Sequence, residues 1–258
     1  MQNLSLALIQ SPLHWESPAA NRAMFEEKIW QMDKAVDVIV LPEMFTTGFT
    51  MNAKALAEPM NLHTTKWMKQ MAEHTKASVC GSFIVQVDGV FYNRFLWMNE
   101  DGSYKSYDKK HLFRMAGEDE VYGNGSEKLI VNYKGWNICP FICYDLRFPV
   151  WSRNVTCEYD VLIYVANWPA PRANAWNTLL KARAIENASY AIGVNRIGED
   201  GLGITYAGES AAVDFKGVDI VNMKNEEGIA YVSLSGQELN DYREKFPAWK
   251  DADDFRLV

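Results

Sequence analysis

The sequence lacks the features that mark membrane proteins and nucleic-acid-binding proteins. No stretch of the 258 residues approaches the roughly 18 uninterrupted apolar residues that a membrane-spanning helix needs. No run of five or more basic residues is present, and the formal net charge is −7. The N-terminus has neither a basic region nor a small-residue cleavage site of the secretory type. These absences predict a cytoplasmic protein whose partner is neither nucleic acid nor a membrane.

Cysteine and histidine are also scarce, with four of each. Without a secretion signal, a disulfide framework is not expected. Cys139 and Cys143 have three residues between them, and no second Cys or His pair lies nearby, so neither zinc nor another metal is predicted. All four histidines precede Cys143, which excludes the nucleophile-then-histidine order of papain-like enzymes and α/β-hydrolases.

The hydrophobic pattern alternates between strands and helices, which predicts an α/β fold. Asp88-Gly89 and Lys134-Gly135 are hairpin turns, and buried runs such as 36–41 and 159–166 indicate sheets covered on both faces, so mixed sheets are expected. No linker or repeat divides the chain, which predicts one domain over 1–258, with a polar C-terminal extension from about 237. The predicted strands are 4–10, 36–41, 78–87, 90–98, 104–107, 127–133, 136–142, 159–166, 190–197, 210–215 and 228–234, and the predicted helices are 21–34, 62–76 and 173–188.

Residues with reactive side chains follow several of the apolar strands. Cys143 and Asn167 come directly after such runs, and Glu43 follows another run after Pro42. Functional residues gather at the carboxyl ends of strands in α/β sheets. A thiol at a strand-to-helix turn lies near backbone N–H groups and a positive helix end, which favour the thiolate. A free cysteine is also commonly a small buried hydrophobe, so position alone leaves two interpretations of Cys143 open.

A cysteine nucleophile needs a base and a group that stabilises the oxyanion. Glu43 in an apolar pocket would have the raised pKa that suits a base near neutral pH, and His111 is the alternative. Lys110 and the backbone N–H of Tyr144 could stabilise the oxyanion. A solvated basic loop is the competing interpretation of Lys110, since Lys109 is adjacent to it.

Several motifs together resemble the carbon–nitrogen hydrolase (nitrilase) superfamily. They are LPEMFTTGF around Glu43, YDKKHLFRMAGEDE around Lys110 and CYDLRFPVW around Cys143, followed by NWP, ARAIENASYAIGVNR and YAGES. The resemblance spans about residues 4 to 235. It implies a four-layer α-β-β-α sandwich, no cofactor, and assembly as a homodimer or larger homo-oligomer. It also implies Glu43 as base, Lys110 as oxyanion stabiliser and Cys143 as nucleophile. The second glutamate of the family falls at Glu118, eight residues after Lys110, with Glu120 as the alternative.

Within that family the sequence is most similar to the omega-amidases, through HLFRMAGE, NWPAPR and the compact length. This similarity implies hydrolysis of the terminal amide of 2-oxoglutaramate or succinamate through a cysteine thioester. Arg172 is the candidate for holding the distant carboxylate, and Phe113 and Trp168 could wall the pocket. Arg147 is expected to be structural, paired with Asp145 or Glu43. The alternatives are another small amide, nitrile or N-carbamoyl substrate, or a non-catalytic binding or assembly protein on the same fold.

Overall fold

The computed structural model describes residues 2–253 and residue 255, and these form fourteen strands and seven α-helices. The strands are β1 (Leu4–Gln10), β2 (Val38–Val40), β3 (Ser78–Val87), β4 (Val90–Met98), β5 (Tyr104–Asp108), β6 (Val131–Tyr133), β7 (Trp136–Ile142), β8 (Val161–Ala166), β9 (Tyr190–Asn195), β10 (Ile197–Glu199), β11 (Thr205–Ala207), β12 (Ala211–Val213), β13 (Asp219–Asn222) and β14 (Gly228–Leu234). The helices are α1 (Pro18–Trp30), α2 (Ala53–Leu56), α3 (His63–Thr75), α4 (Glu118–Val121), α5 (Pro149–Ser152), α6 (Ala173–Asn187) and α7 (Gly236–Lys245). No helix in this part of the chain is long and apolar enough to cross a bilayer.

Two six-stranded mixed sheets form the centre of the molecule. Their strand orders are β14-β1-β2-β3-β4-β5 and β13-β12-β9-β8-β7-β6. In each sheet three central strands are parallel (β1, β2 and β3 in one, β7, β8 and β9 in the other), and antiparallel strands flank them. The continuous apolar runs form the parallel strands because both faces of those strands are covered. The prediction of mixed sheets is confirmed.

The sheets stack face to face between two layers of helices. Side chains from the inner faces, including Trp97 of β4 and Phe141 of β7, meet in one buried cluster. Phe25 of α1 and Met68 of α3 belong to a second buried cluster, which covers the outer face of the first sheet. Trp176 of α6 packs on the second sheet, where a Cβ on Gly193 would lie only 2.6 Å from its ring. This arrangement is the predicted α-β-β-α sandwich.

Several elements differ from their sequence-based bounds. Helix α1 begins at Pro18, in keeping with the preference of proline for the first helical turn, and it ends before 34. The predicted strand 127–133 begins only at Val131. The short strands β10, β11 and β13 were not predicted, because runs of three or four residues carry little periodicity.

The predicted C-terminal extension contains helix α7. Its N-cap is Ser235, whose hydroxyl accepts a hydrogen bond from the Glu238 N–H at 3.2 Å. Leu239 is fully buried in the core, and Arg243 forms an ion pair with Asp160 at 2.7 Å. The S-x-x-E pattern at 235–238 is a sequence signal for such a helix start. Positions 254 and 256–258 of the extension, like position 1 of the predicted domain, lie outside the described residues.

Candidate active site

The candidate site lies where strand ends from both sheets meet. Strands β7 and β8 are parallel neighbours, so Cys143 and Asn167, the first residues beyond them, come side by side. Glu43 follows β2 of the other sheet by three residues. The face-to-face stacking of the sheets therefore brings the predicted base and the predicted nucleophile into one buried site.

Cys143 occupies a strained turn between β7 and a short 3-10 helix, Cys143–Arg147. Its φ of +44° is an uncommon left-handed conformation for a residue with a side chain. The Sγ lies 3.9 Å from the carbonyl oxygen of Asn167. Burial and the nearby Glu43 carboxylate raise the pKa of the Cys143 thiol, and the nearby Lys109 only partly offsets this. These surroundings favour the protonated form of the thiol over the thiolate.

Glu43 is fully buried, and three hydrogen bonds hold its carboxylate. Oε1 accepts from the Asn93 side-chain amide at 2.8 Å and from the Lys109 ammonium at 2.9 Å. Oε2 accepts from the Asn167 backbone N–H at 2.8 Å. These contacts fix the orientation of the carboxylate beside Cys143, as a general base requires.

Lys109 connects Glu43 to the second glutamate. Its ammonium donates to both carboxylate oxygens of Glu118 at 2.9 Å, and the Lys109 side chain is almost completely buried. Glu118 also accepts a hydrogen bond from the Phe113 backbone N–H at 2.5 Å. Glu120, the alternative second glutamate, is exposed. The structure thus brings Glu118 into the cluster and leaves Glu120 outside it.

The pKa values follow from burying one cation between two carboxylates. Burial alone would lower the pKa of Lys109, but Glu118 and Glu43 outweigh it and raise that pKa above its ordinary value. Burial and the proximity of Glu43 raise the pKa of Glu118 despite the opposing effect of Lys109. Lys109 therefore stays charged, and the site resists holding a thiolate together with two ionised carboxylates.

The structure corrects the choice of lysine, because Lys109 and not Lys110 enters the cluster. Pairing of β5 with β4 continues to Lys109, whose N–H donates to the Asn93 carbonyl at 3.0 Å. Successive side chains of a strand point to opposite faces, so Lys109 shares the inner face with the buried Tyr107. The Lys110 ammonium lies instead 5.3 Å from the centre of the Trp151 ring.

His111, the alternative base, is also turned away from Cys143. Its Nδ1 lies 2.7 Å from an Asp145 carboxylate oxygen, and its ring stacks on Phe148 at 3.8 Å. Among the described residues that line the cavity beside Cys143, His111 is absent. The geometry therefore favours Glu43 as the base.

A cavity of about 320 Å³ opens onto Cys143. This volume is at the small end of ligand pockets. The cavity lining includes the predicted residues Phe113, Tyr144, Trp168 and Arg172, together with Lys109. Most of the remaining wall is apolar or aromatic: Trp15, Phe49, Met51, Ala116, Pro169, Leu202, Ile204 and Tyr206.

Two arginines reach this cavity, Arg172 as predicted and Arg147 in addition. The Arg147 guanidinium lies 4.8 Å from the Trp168 ring centre, and that of Arg172 lies 5.3 Å from the Phe113 ring centre. Within the part of the chain that the structure describes, neither forms an ion pair with a carboxylate. The prediction that Arg147 pairs with Asp145 or Glu43 is wrong.

Asn93 is a site residue that the sequence analysis missed. Its amide holds Glu43, yet the residue lies in the middle of the strand VFYNRFLWM. Asn93 alternates with Phe95 and Trp97, which are both buried. A polar residue in register with buried aromatic residues was the available signal. Among the described residues, no group of three or more His, Cys, Asp or Glu side chains is placed to hold a metal ion.

Comparisons with known proteins agree over nearly the whole chain. The profile of the family described as carbon-nitrogen hydrolase matches residues 5–244. The chain is 45% identical over 258 residues to omega-amidase YafV of Escherichia coli strain K12, with both chains fully covered. It is 33% identical to a 2-oxoglutaramate amidase of Bacillus subtilis, with 96% of each chain covered. Its fold also superposes on the structure of a CN-hydrolase superfamily protein of Xanthomonas campestris, which carries an arsenic adduct in its active site. The TM-score is 0.98 and the sequence identity 40%, with both chains fully covered.

Proposed function

Because this chain belongs to the carbon–nitrogen hydrolase family, we propose that it hydrolyses the terminal amide of short dicarboxylic monoamides such as 2-oxoglutaramate and succinamate. The coarser activity, hydrolysis of amide carbon–nitrogen bonds, follows from the family and from the omega-amidase relatives. The finer proposal rests on the cavity. Beside Cys143 it presents two guanidinium groups that no described carboxylate pairs with.

The arginines make a substrate carboxylate the expected ligand. A guanidinium can hold a carboxylate through two parallel charged hydrogen bonds, which are stronger than neutral ones. Stacking on Trp168 and Phe113 restrains the two guanidinium groups before substrate binds. A cavity of about 320 Å³ suits a small molecule, so the carboxylate and the amide would be only a few bonds apart.

The first half of the proposed reaction forms a thioester. Glu43 takes the Cys143 thiol proton as Sγ attacks the amide carbon. The Lys109 ammonium and the Tyr144 N–H stabilise the oxyanion of the tetrahedral intermediate. Glu43 then gives its proton to the amide nitrogen as the carbon–nitrogen bond breaks. Ammonia leaves, and the acyl group stays on Sγ.

The second half hydrolyses that thioester. Water attacks the thioester carbon and gives a proton to Glu43, and the same two donors stabilise the second oxyanion. The carbon–sulfur bond breaks, the acid departs, and the proton returns from Glu43 to Sγ. Glu118 holds the Lys109 ammonium in place throughout, through its two 2.9 Å contacts. The raised pKa of the Cys143 thiol fits this scheme, because each half-reaction begins or ends with the proton on sulfur.

Ammonia release from a panel of substrates tests this proposal. We expect turnover of succinamate and 2-oxoglutaramate, and much weaker turnover of butyramide, a nitrile or an N-carbamoyl amino acid. Arg172→Gln should raise the KM for succinamate by about 10- to 100-fold, because a charged hydrogen bond contributes about 1.5–3 kcal/mol. The KM for uncharged butyramide is the matched control and should change little.

The alternatives predict different outcomes of the same panel. Preferential turnover of the nitrile or the N-carbamoyl compound would move the proposal to another substrate of the family. If no compound is turned over by a folded protein, the non-catalytic alternative gains support. An equal rise in both KM values in Arg172→Gln would contradict the role given to Arg172.

A further inference from the structure

The Asp145 carboxylate is surrounded by donors from two separate parts of the site. Oδ1 accepts from the His111 backbone N–H at 3.0 Å and lies 2.7 Å from the His111 Nδ1. Oδ2 accepts from the Tyr107 hydroxyl at 2.7 Å and from the Ile142 backbone N–H at 3.0 Å. The Asp145 side chain is almost fully buried, although no arginine or lysine is paired with it among the described residues.

We propose that Asp145 is a positioning residue that fixes the nucleophile turn against the segment carrying Lys109. This inference rests on the proposed function, in which Cys143 and Lys109 act together on the amide. Asp145 is absent from the described cavity lining, so it acts through its neighbours and not on the substrate. Of the other carboxylates in the described site, Glu43 accepts a backbone hydrogen bond from Asn167 and Glu118 accepts one from Phe113, so neither contacts both segments in this way.

On the nucleophile side, Asp145 stabilises an unfavourable backbone conformation. The Ile142 N–H that it binds immediately precedes Cys143, whose φ is +44°. Such a conformation costs about 1–3 kcal/mol and persists only when the surrounding contacts impose it. The Asp145 contact is one of those that impose this conformation, in which Cys143 lines the cavity.

On the lysine side, Asp145 contacts the chain both before and after Lys109. Tyr107 precedes Lys109 by two residues and donates its hydroxyl to Asp145. The same hydroxyl oxygen accepts hydrogen bonds from the Lys110 N–H at 3.2 Å and from Trp151 Nε1 at 3.1 Å. His111 follows Lys109 by two residues and donates its backbone N–H to Asp145. The Lys109 backbone is thus held from both sides by one carboxylate.

The chemistry of these contacts requires a carboxylate and not an amide. A carboxylate only accepts hydrogen bonds, and the contact with His111 accordingly assigns the ring proton to Nδ1. In Asp145→Asn one oxygen would become an NH₂ group facing two donors. That variant keeps the volume of the side chain but cannot satisfy its partners, so the turn and the Lys109 segment should shift relative to each other.

The test compares Asp145→Asn with Asp160→Asn on succinamate. Asp160 is a matched control, because it is also buried, also accepts from a backbone N–H (Asn137, 2.9 Å) and lies at the opposite end of the same sheet. We expect Asp145→Asn to lower kcat by about 10- to 100-fold, since misplacement by about 1 Å can have that effect. Its KM should stay within about threefold. Asp160→Asn should lower the melting temperature and leave kcat unchanged.

Two further variants keep the result interpretable. If Asp145→Asn does not fold, Tyr107→Phe removes one of the same hydrogen bonds with little change in volume and should lower kcat in the same way. The double variant should be no slower than Asp145→Asn alone, because both changes break one network. An Asp145→Asn enzyme with wild-type kcat would overturn the inference. Failure of the proposed function would show differently, as a folded wild-type enzyme that releases no ammonia from succinamate.

Discussion

Cys143→Ala is expected to abolish ammonia release from succinamate, with kcat lowered by a factor on the order of 10⁴ to 10⁶, as for other essential nucleophiles. Among the described residues that line the cavity, Cys143 carries the one thiol, which is the group that the proposed thioester requires. It lies near the Glu43 carboxylate and the Lys109 ammonium, which contact each other at 2.9 Å, and both groups affect its pKa. Alanine removes one sulfur atom and leaves the turn at φ +44° in place.

Cys157→Ala is the control for this variant. Cys157 is also a partly buried free cysteine with a positive φ, of +53°, but it lies outside the cavity beside Cys143. Its replacement should leave kcat unchanged. A Cys143→Ala enzyme that keeps more than about one hundredth of the wild-type kcat would exclude Cys143 as the nucleophile.

The second large effect separates the two adjacent lysines. Lys109→Met should lower kcat by at least about 10²- to 10³-fold, the loss found on removing one oxyanion-stabilising donor. Lys110→Met should leave kcat within about twofold, because the Lys110 ammonium lies over Trp151, away from Glu43 and Glu118. The two variants delete the same charge at neighbouring positions, so their comparison needs no correction for net charge.

Lys109→Met also leaves two buried carboxylates without their cation. Removing one partner of a buried ion pair costs about 3–5 kcal/mol in the free energy of unfolding, so the melting temperature should fall as well. Circular dichroism at the assay temperature therefore has to show a folded protein before kcat is compared. Lys109→Met/Glu118→Gln removes one of the uncompensated charges and should recover stability without recovering kcat. Equal activity of Lys109→Met and the wild type, or inactivity of Lys110→Met, would contradict the assignment.

Most of the fold could be predicted from the sequence, because many of its strands are long and apolar. The predicted bounds of β1, β3, β4, β7 and β14 agree with the structure. The turns Asp88-Gly89 and Lys134-Gly135 fix two of the hairpins through positive φ values. The ends of β2, β7 and β8 were recognised as places where reactive residues meet. That these three strand ends lie together depends on the order of the strands in the sheets, which cannot be read from a single sequence.

Lys109 and Lys110 are distinguished by the alternation of strand β5 and not by the motif that contains both. Both lysines match the same motif at positions one residue apart, and a shift of one residue reverses the face of a strand. Extending the alternation from Tyr107 would have selected Lys109. Arg172 was placed in the pocket correctly, whereas Arg147 was not, because its sequence position beside Asp145 did not indicate that its guanidinium lies over the Trp168 ring.

Trapping with hydroxylamine tests the thioester at Cys143 most directly. Succinamate is turned over at increasing hydroxylamine concentration, and ammonia, succinate and the succinyl hydroxamate are measured together. An acyl-enzyme predicts that hydroxamate replaces succinate as hydroxylamine rises, with one ammonia released for each acyl group transferred, and that Cys143→Ala forms neither product. Release of ammonia with succinate as the sole product at every hydroxylamine concentration would contradict the covalent intermediate.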